Sequence, residues 1–398
     1  MIPKIDSDIG ILHYTTKFAG VGGRIRARFE DFAVSEVLSE KTLASLSEDD
    51  GFAVYLLKKS GIDTNHALER ISQRFGARLK ALGLKDSSAV TEQYVCSMAR
   101  GRAVPKYVDD KISLEKIGFS KKPLSAKDMR GNHFTIIVTG ATSDISNFAE
   151  QDCVLNFYGY QRFGSKRPVT HLVGKALLRR QFADAVRLFL SFSSEYDSDE
   201  NTKLRNMMQD PSRYSEALQS IPRQMDLERT LLSEMIEHSD PQKAILKLPL
   251  SIRRLFVDAY QSYLFNLVLS KSYEYGEDLF APKQDDVCYD KAGTVRKYEM
   301  DPDQHLAIPL VGYSYFKKTR FDYHISEVLK QEEISHKDFY FKEMQELSTE
   351  GGFRTSSLVC GDFSAKGDTV SFTLQRGSFA TILMREIMKP QSPLEAGF

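Results

Sequence analysis

Residues 52–98 read FAVYLLKKSGIDTNHALERISQRFGARLKALGLKDSSAVTEQYVCSM. The opening FAVYLLK (52–58) is a short apolar run of the kind that forms a buried strand. From Thr64, the spacing of Ala67, Ile71, Phe75 and Leu79 predicts an amphipathic helix, capped by Asp63 or Thr64 and ended near Gly83. The loop GLKDSS follows. It opens onto a second strand, AVTEQYVCSM, whose two-residue period sets Val90, Tyr94, Cys96 and Met98 on one face.

Outward from this unit, the same patterns recur toward both ends. Residues 23–38 alternate apolar and polar at Ile25, Ala27, Phe29, Phe32 and Val34, a strand bent at the charged pair Glu30-Asp31. His133–Thr139 and Asp368–Leu374 are further β-branched runs. Between them the period changes: 176–195, 203–218, 225–238 and 251–273 carry apolar residues every three or four positions, and the last is apolar over most of its circumference. Residues 275–315 turn loop- and strand-like, punctuated by Gly276, Pro282, Gly293, Pro302 and Pro309. Strand-rich ends around a helix-rich middle indicate an α+β chain with an insertion, rather than two domains in series.

The length of 398 residues suits two or three domains at roughly 100–200 residues each. With 41% hydrophobic and 27% charged residues, neither a disordered nor a fibrous chain fits. No stretch reaches the roughly 18 apolar residues of a membrane span, and Lys4, Asp6 and Asp8 occupy the place of a secretory apolar run, so a cytoplasmic protein is expected. Cys96, Cys153, Cys288 and Cys360 are scattered without metal-ligand spacing, so no metal site is expected. The net charge is zero, yet residues 1–180 hold 28 Lys and Arg against 20 Asp and Glu, a net of +8, balanced by −8 in the remainder. Within that half, residues 161–180 (QRFGSKRPVTHLVGKALLRR) contain Arg162, Lys166, Arg167, Lys175, Arg179 and Arg180 and no acid. They read either as phosphate contacts or as a solvated helix face.

Three places could carry chemistry. Asp86, on a short loop beside Lys85, is a carboxylate that a turn would expose and a cation would keep ionised; taken alone it reads more readily as ordinary turn chemistry. Residues 156–164 (NFYGYQRFG) interleave aromatics with amides, Gly and Arg, a mixture that suits a splayed-out nucleotide or an aromatic core strand. Arg376–Thr381 is a Gly-Ser turn leading to Arg385-Glu386. Phosphate-loop, dinucleotide, zinc-protease and serine-hydrolase motifs are missing, so any chemistry would run on a carboxylate without a cofactor.

These residues resemble the TruD family of tRNA pseudouridine synthases. Arg26–Val34 (RARFEDFAV) is similar to the family's opening motif, and Gly83–Gln93 (GLKDSSAVTEQ) to its catalytic motif. Asn156–Gly164 is similar to its aromatic block. Gly131-Asn132 with Phe134, Tyr263–Asn266 and Gly377–Thr381 with Arg385-Glu386 follow in the same order. The resemblance implies isomerisation of uridine to pseudouridine in tRNA, chiefly at position 13, with Asp86 as nucleophile and no cofactor. It implies that Phe32, Asn156, Tyr158 and Phe379 hold the target nucleoside with Arg26, Lys85 and Arg385. Arg162, Lys166, Arg167 and Lys175 are then expected on the RNA backbone. Arg26 stands where bacterial relatives have Lys, and Tyr158 where they have Phe. The implied architecture is a catalytic domain with a mixed antiparallel sheet, residues 1–175 and 351–398, interrupted by an inserted helix-rich domain, 176–350. The expected partner is tRNA, with no membrane, no obligate protein partner and a monomeric chain.

The chemistry requires such residues. The uracil must leave its N1–C1′ bond, turn and rejoin through C5, so the base must first leave its stack, at a cost of a few kcal/mol. Aromatic stacking returns about 1–3 kcal/mol per base. Asp86 would attack either C1′ or C6. A non-catalytic tRNA-binding protein is one competing reading; a small-substrate hydrolase using Asp86 is the other, disfavoured because it leaves the aromatic block and the basic cluster unexplained.

Overall fold

The computed structural model describes residues 1–85, 87, 89–150, 154–315 and 319–398. Thirteen strands are present among them: β1 (Phe32–Leu38), β2 (Phe52–Lys59), β3 (Leu79–Ala81), β4 (Val90–Arg100), β5 (Tyr107–Val108), β6 (Ile112–Ser120), β7 (Met129–Ile137), β8 (Val287–Tyr289), β9 (Val295–Lys297), β10 (His305–Leu310), β11 (Gly352–Thr355), β12 (Cys360–Lys366) and β13 (Thr369–Gln375). Nine form one sheet in the order β12-β13-β7-β1-β4-β2-β6-β5, with β3 paired to β4. The other four form a small sheet, β11-β10-β8-β9. An α+β chain with a mixed sheet is therefore observed.

In the large sheet, β1 and β4 run parallel, with Ala33 opposite Val90; the other pairings are antiparallel. Parallel strands in that register begin at the same end of the sheet. The 3₁₀ turn that leads into β1 and Ala89, which leads into β4, thus lie at the same end of the sheet. The bend expected at Glu30-Asp31 is a single 3₁₀ turn, Phe29–Asp31, immediately before β1.

The helix Thr64–Phe75 crosses one face of this sheet. Asp63 caps it, accepting from the Asn65 and His66 N–H groups. Ala67 and Ile71 pack with Tyr55, Leu57, Val95 and Leu114. It ends at Gly76, which takes φ +60°, a left-handed stop that glycine adopts without strain. The expected end near Gly83 is corrected: Leu79 belongs to β3. On β4, Thr91, Gln93 and Val95 are the buried odd face, while Cys96 is buried and Met98 exposed on the other.

The middle is helical as expected but more finely divided. The pattern over 176–195 is two helices, Thr170–Leu178 and Phe182–Ser191, and 203–218 is split between Asp199–Met207 and Tyr214–Ser220 around Asp210-Pro211. Leu250–Glu274 is buried on most sides. Position 175 falls inside the helix Thr170–Leu178, and position 351 directly precedes β11, which pairs with β10. No described helix is long and apolar enough to cross a membrane.

Candidate active site

Asp86 lies outside the described residues, and Lys85 and Ser87 on either side are described. The Lys85 backbone is clamped from the helix start. Its N–H donates to Thr64 Oγ1 at 2.9 Å, and its carbonyl accepts from Lys59 Nζ at 3.1 Å. Thr64 Oγ1 donates in turn to Gln93 Oε1 at 2.9 Å, and Gln93 Nε2 donates to the Gly83 carbonyl at 3.1 Å. Thr64, Lys59 and Gln93 are all at most 2% exposed. Buried polar groups that satisfy one another in this way hold a loop more rigidly than a solvated turn is held. Ser87 lines an open cleft of about 450 Å³ with Gly61, Asp63, His66, Arg70 and Gln73.

The Lys85 ammonium turns the other way. It donates to Glu36 Oε1 at 2.8 Å, and Glu36 Oε2 accepts the Tyr94 N–H at 2.8 Å. Burial pushes the Glu36 carboxyl above its ordinary value, while Lys85 and the Tyr94 amide pull it back. A Cβ on Gly83 would stand 2.8 Å from Glu36 Oε1, so the close approach requires glycine there. The cation of Lys85, expected at the substrate, pairs here with a buried carboxylate whose removal from water must be compensated.

Before β1, the Arg26 guanidinium lies 4.1 Å over the Phe32 ring and donates to the Gly397 carbonyl at 2.9 Å. Arg26 takes φ +57° to do so. Phe32 is 3% exposed, edge-on to Phe134. The two residues are in contact, and the half-buried guanidinium covers the ring.

A second constellation forms around a residue that the sequence reading missed. Arg354, on β11, donates through Nη2 to Asn156 Oδ1 at 2.7 Å and through Nε to the Asn156 carbonyl at 3.0 Å. Its Nη1 donates to the Gly377 carbonyl at 2.8 Å. The guanidinium lies 3.9 Å over the Tyr158 ring, and burial pulls its pKa down. Tyr158 meets Phe379 and Phe265 edge-on at 5.9 and 5.7 Å. The Tyr158 backbone is held by Asn266, whose Oδ1 accepts its N–H at 2.8 Å and whose Nδ2 donates to its carbonyl. Tyr158, Phe379 and Asn156 are therefore gathered in one place. Asn156, expected at the nucleoside, is 2% exposed, with Nδ2 donating to Thr355 and Oδ1 held by Arg354. The missed signal was a lone arginine in GGFRTSS, without basic neighbours to mark it.

Arg385 is fully buried, with Nε on Asp6 at 2.6 Å, Nη1 on Glu386 at 3.1 Å and its guanidinium over Tyr14. It ties the first helix, Lys4–Asp8, to the last, Ala380–Met388. In the basic run Lys166 and Arg179 are exposed and Arg162, Arg167, Lys175 and Arg180 half-buried, and several of these cations are paired within the protein. Arg167 donates to the carbonyls of Phe189 and Phe192 and pairs with Glu228, and Lys175 pairs with Glu332 at 2.7 Å. The acids that neutralise them come from distant parts of the chain, so the local sequence looked uncompensated. Arg162, half-buried and 5.4 Å from the Tyr158 ring, and exposed Lys166 remain near the surface.

Residues 8–387 match the family model for tRNA pseudouridine synthase D (TruD). The chain is 32% identical over its whole length to a probable tRNA pseudouridine synthase D of Pyrobaculum islandicum, covering 99% of that protein. It is 29% identical to the corresponding protein of Methanococcoides burtonii, with 98% of each chain covered. The crystal structure of a putative tRNA pseudouridine synthase D from Methanosarcina mazei superposes with a TM-score of 0.78 at 28% identity, covering 99% of both chains.

Proposed function

The chain belongs to the TruD family of tRNA pseudouridine synthases, and on that premise we propose that it isomerises uridine 13 of tRNA with Asp86 as nucleophile. Isomerisation of uridine to pseudouridine in tRNA is the family's reaction, and a purely tRNA-binding role is disfavoured. The observation that carries the residue assignment is the clamp on Lys85, because a nucleophile needs a backbone that does not wander. The base leaves its stack to meet Asp86, with Tyr158 and Phe379 as the rings beside it and Arg26 as the nearby cation.

The tRNA backbone contacts are better supported elsewhere than in residues 161–180. Residues 70–130 hold 14 Lys and Arg against six Asp and Glu, a net of +8 that equals the whole surplus of residues 1–180. Arg74, Arg78, Lys80 and Arg102 are exposed there, and Arg102 donates to the Phe75 carbonyl at the C-terminal end of the helix. Such a surface suits a polyanion. The proposal includes a monomeric cytoplasmic enzyme, and a catalytic part made of both ends of the chain around an inserted middle. The large sheet supports that division, since its strands all precede residue 138 or follow residue 359.

The test is a tRNA transcript labelled with tritium at C5 of uridine. Isomerisation expels that hydrogen, so the enzyme releases tritium, and a transcript with cytidine at position 13 releases none.

A further inference from the structure

We propose that Arg354 is a positioning residue for the isomerisation, a buried guanidinium that sets the Tyr158 ring and the turn carrying Phe379 at the angle the target base meets. The inference rests on reading those two rings as the base contacts. Three separate stretches of chain converge on this side chain: residues 156–158, the helix Leu250–Glu274 through Phe265 at 5.7 Å, and the turn at Gly377. The ring centroids of Tyr158 and Phe379 stand 5.9 Å apart at 62°. A second link joins the same two segments, Thr381 Oγ1 donating to Gln161 Oε1 at 3.2 Å, but it touches neither ring, whereas the Arg354 guanidinium lies against Tyr158 itself.

An apolar side chain would fill this place with less desolvation cost than a guanidinium. What only a planar fork can do is hold Asn156 Oδ1, the Asn156 carbonyl and the Gly377 carbonyl at once while lying flat on an aromatic face. Asn156 is then part of the same device. Its amide donates to Thr355 Oγ1 at 2.8 Å and to the Thr355 carbonyl at 3.3 Å, leaving Oδ1 aimed at Arg354. The role is positioning rather than catalysis because Arg354 is 8% exposed and reaches the base only through the rings it supports.

The test is a double-variant cycle with Arg354→Lys and Tyr158→Ala in full-length enzyme, read by single-turnover tritium release at saturating tRNA and by tRNA binding. Lysine keeps the charge and loses the fork. The expected result is a rate loss of about 10²-fold, the scale of a misplacement near 1 Å, with tRNA affinity unchanged. A double variant no slower than the worse single one then shows that Arg354 acts through Tyr158. If the lysine variant does not fold, Arg354→Gln is measured in its place. Full rate in the Arg354 variant, or losses that multiply, overturn the inference while an impaired Tyr158→Ala leaves the base-contact reading standing. Full rate in Tyr158→Ala removes that reading, and the inference with it.

Discussion

Thr64→Val tests whether the loop carrying Asp86 depends on its clamp. Valine keeps the shape and deletes the hydroxyl, so the Lys85 N–H loses its acceptor at 2.9 Å and Gln93 Oε1 loses its donor at 2.9 Å. Thr64 and Gln93 are at most 1% exposed, which leaves little water to replace either bond. Each unsatisfied buried group costs about 1–3 kcal/mol, so the variant should lose roughly 2–6 kcal/mol, less whatever the loop recovers by shifting. That shift is the catalytic penalty, expected at about 10²-fold in the single-turnover rate. Thr64 cannot touch RNA from its buried position, so tRNA affinity should stay as it was. Thr64→Ser keeps the hydroxyl and should retain nearly full rate. Urea unfolding followed by circular dichroism, together with tritium release, reads both effects. A valine variant as fast as wild type, or a serine variant as slow as valine, would refute the clamp.

Two other outcomes are expected. Replacing Arg78, Lys80 and Arg102 by Gln should flatten the salt dependence of tRNA binding by up to roughly 0.9 in log–log slope per lost phosphate contact, whereas Lys175→Gln should leave it unchanged; equal slopes in all proteins contradict the reassigned surface. His171 is buried between Phe163 and Tyr263, and burial pushes its imidazole down from 6.5 to about 3. The folded state holds the ring neutral while the unfolded chain protonates it, so stability is present above about 6.5 and lost as pH falls toward about 3. His171→Gln should therefore show a shallower decline in urea midpoint over that window, and parallel curves would contradict the assignment.

The segments that build the candidate site are contiguous motifs, so their local structure was legible in the chain. GLKDSSAVTEQ announces a loop and a strand, and RARFEDF a bent approach to another. That these two meet was not legible, since the parallel pairing of Ala33 with Val90 depends on the whole sheet. Gly76 was available as a stop signal, but Leu79 continued the helical spacing and hid it. Buried charges were the hardest to see. Glu36 and Lys59 sit inside strands at positions where alternation expects apolar residues, and Lys175 finds Glu332 across 157 positions of sequence. Local reading treats such charges as solvated, because their partners become neighbours only after folding.

Asp86→Asn in full-length enzyme tests the central claim most directly. Asparagine preserves the shape of the side chain and removes the nucleophilic charge. Wild type should release the C5 tritium of the target uridine in a single turnover. The variant should bind tRNA with unchanged affinity and release tritium slower by several orders of magnitude. Release by Asp86→Asn at the wild-type rate, or none from wild type itself, would contradict the account.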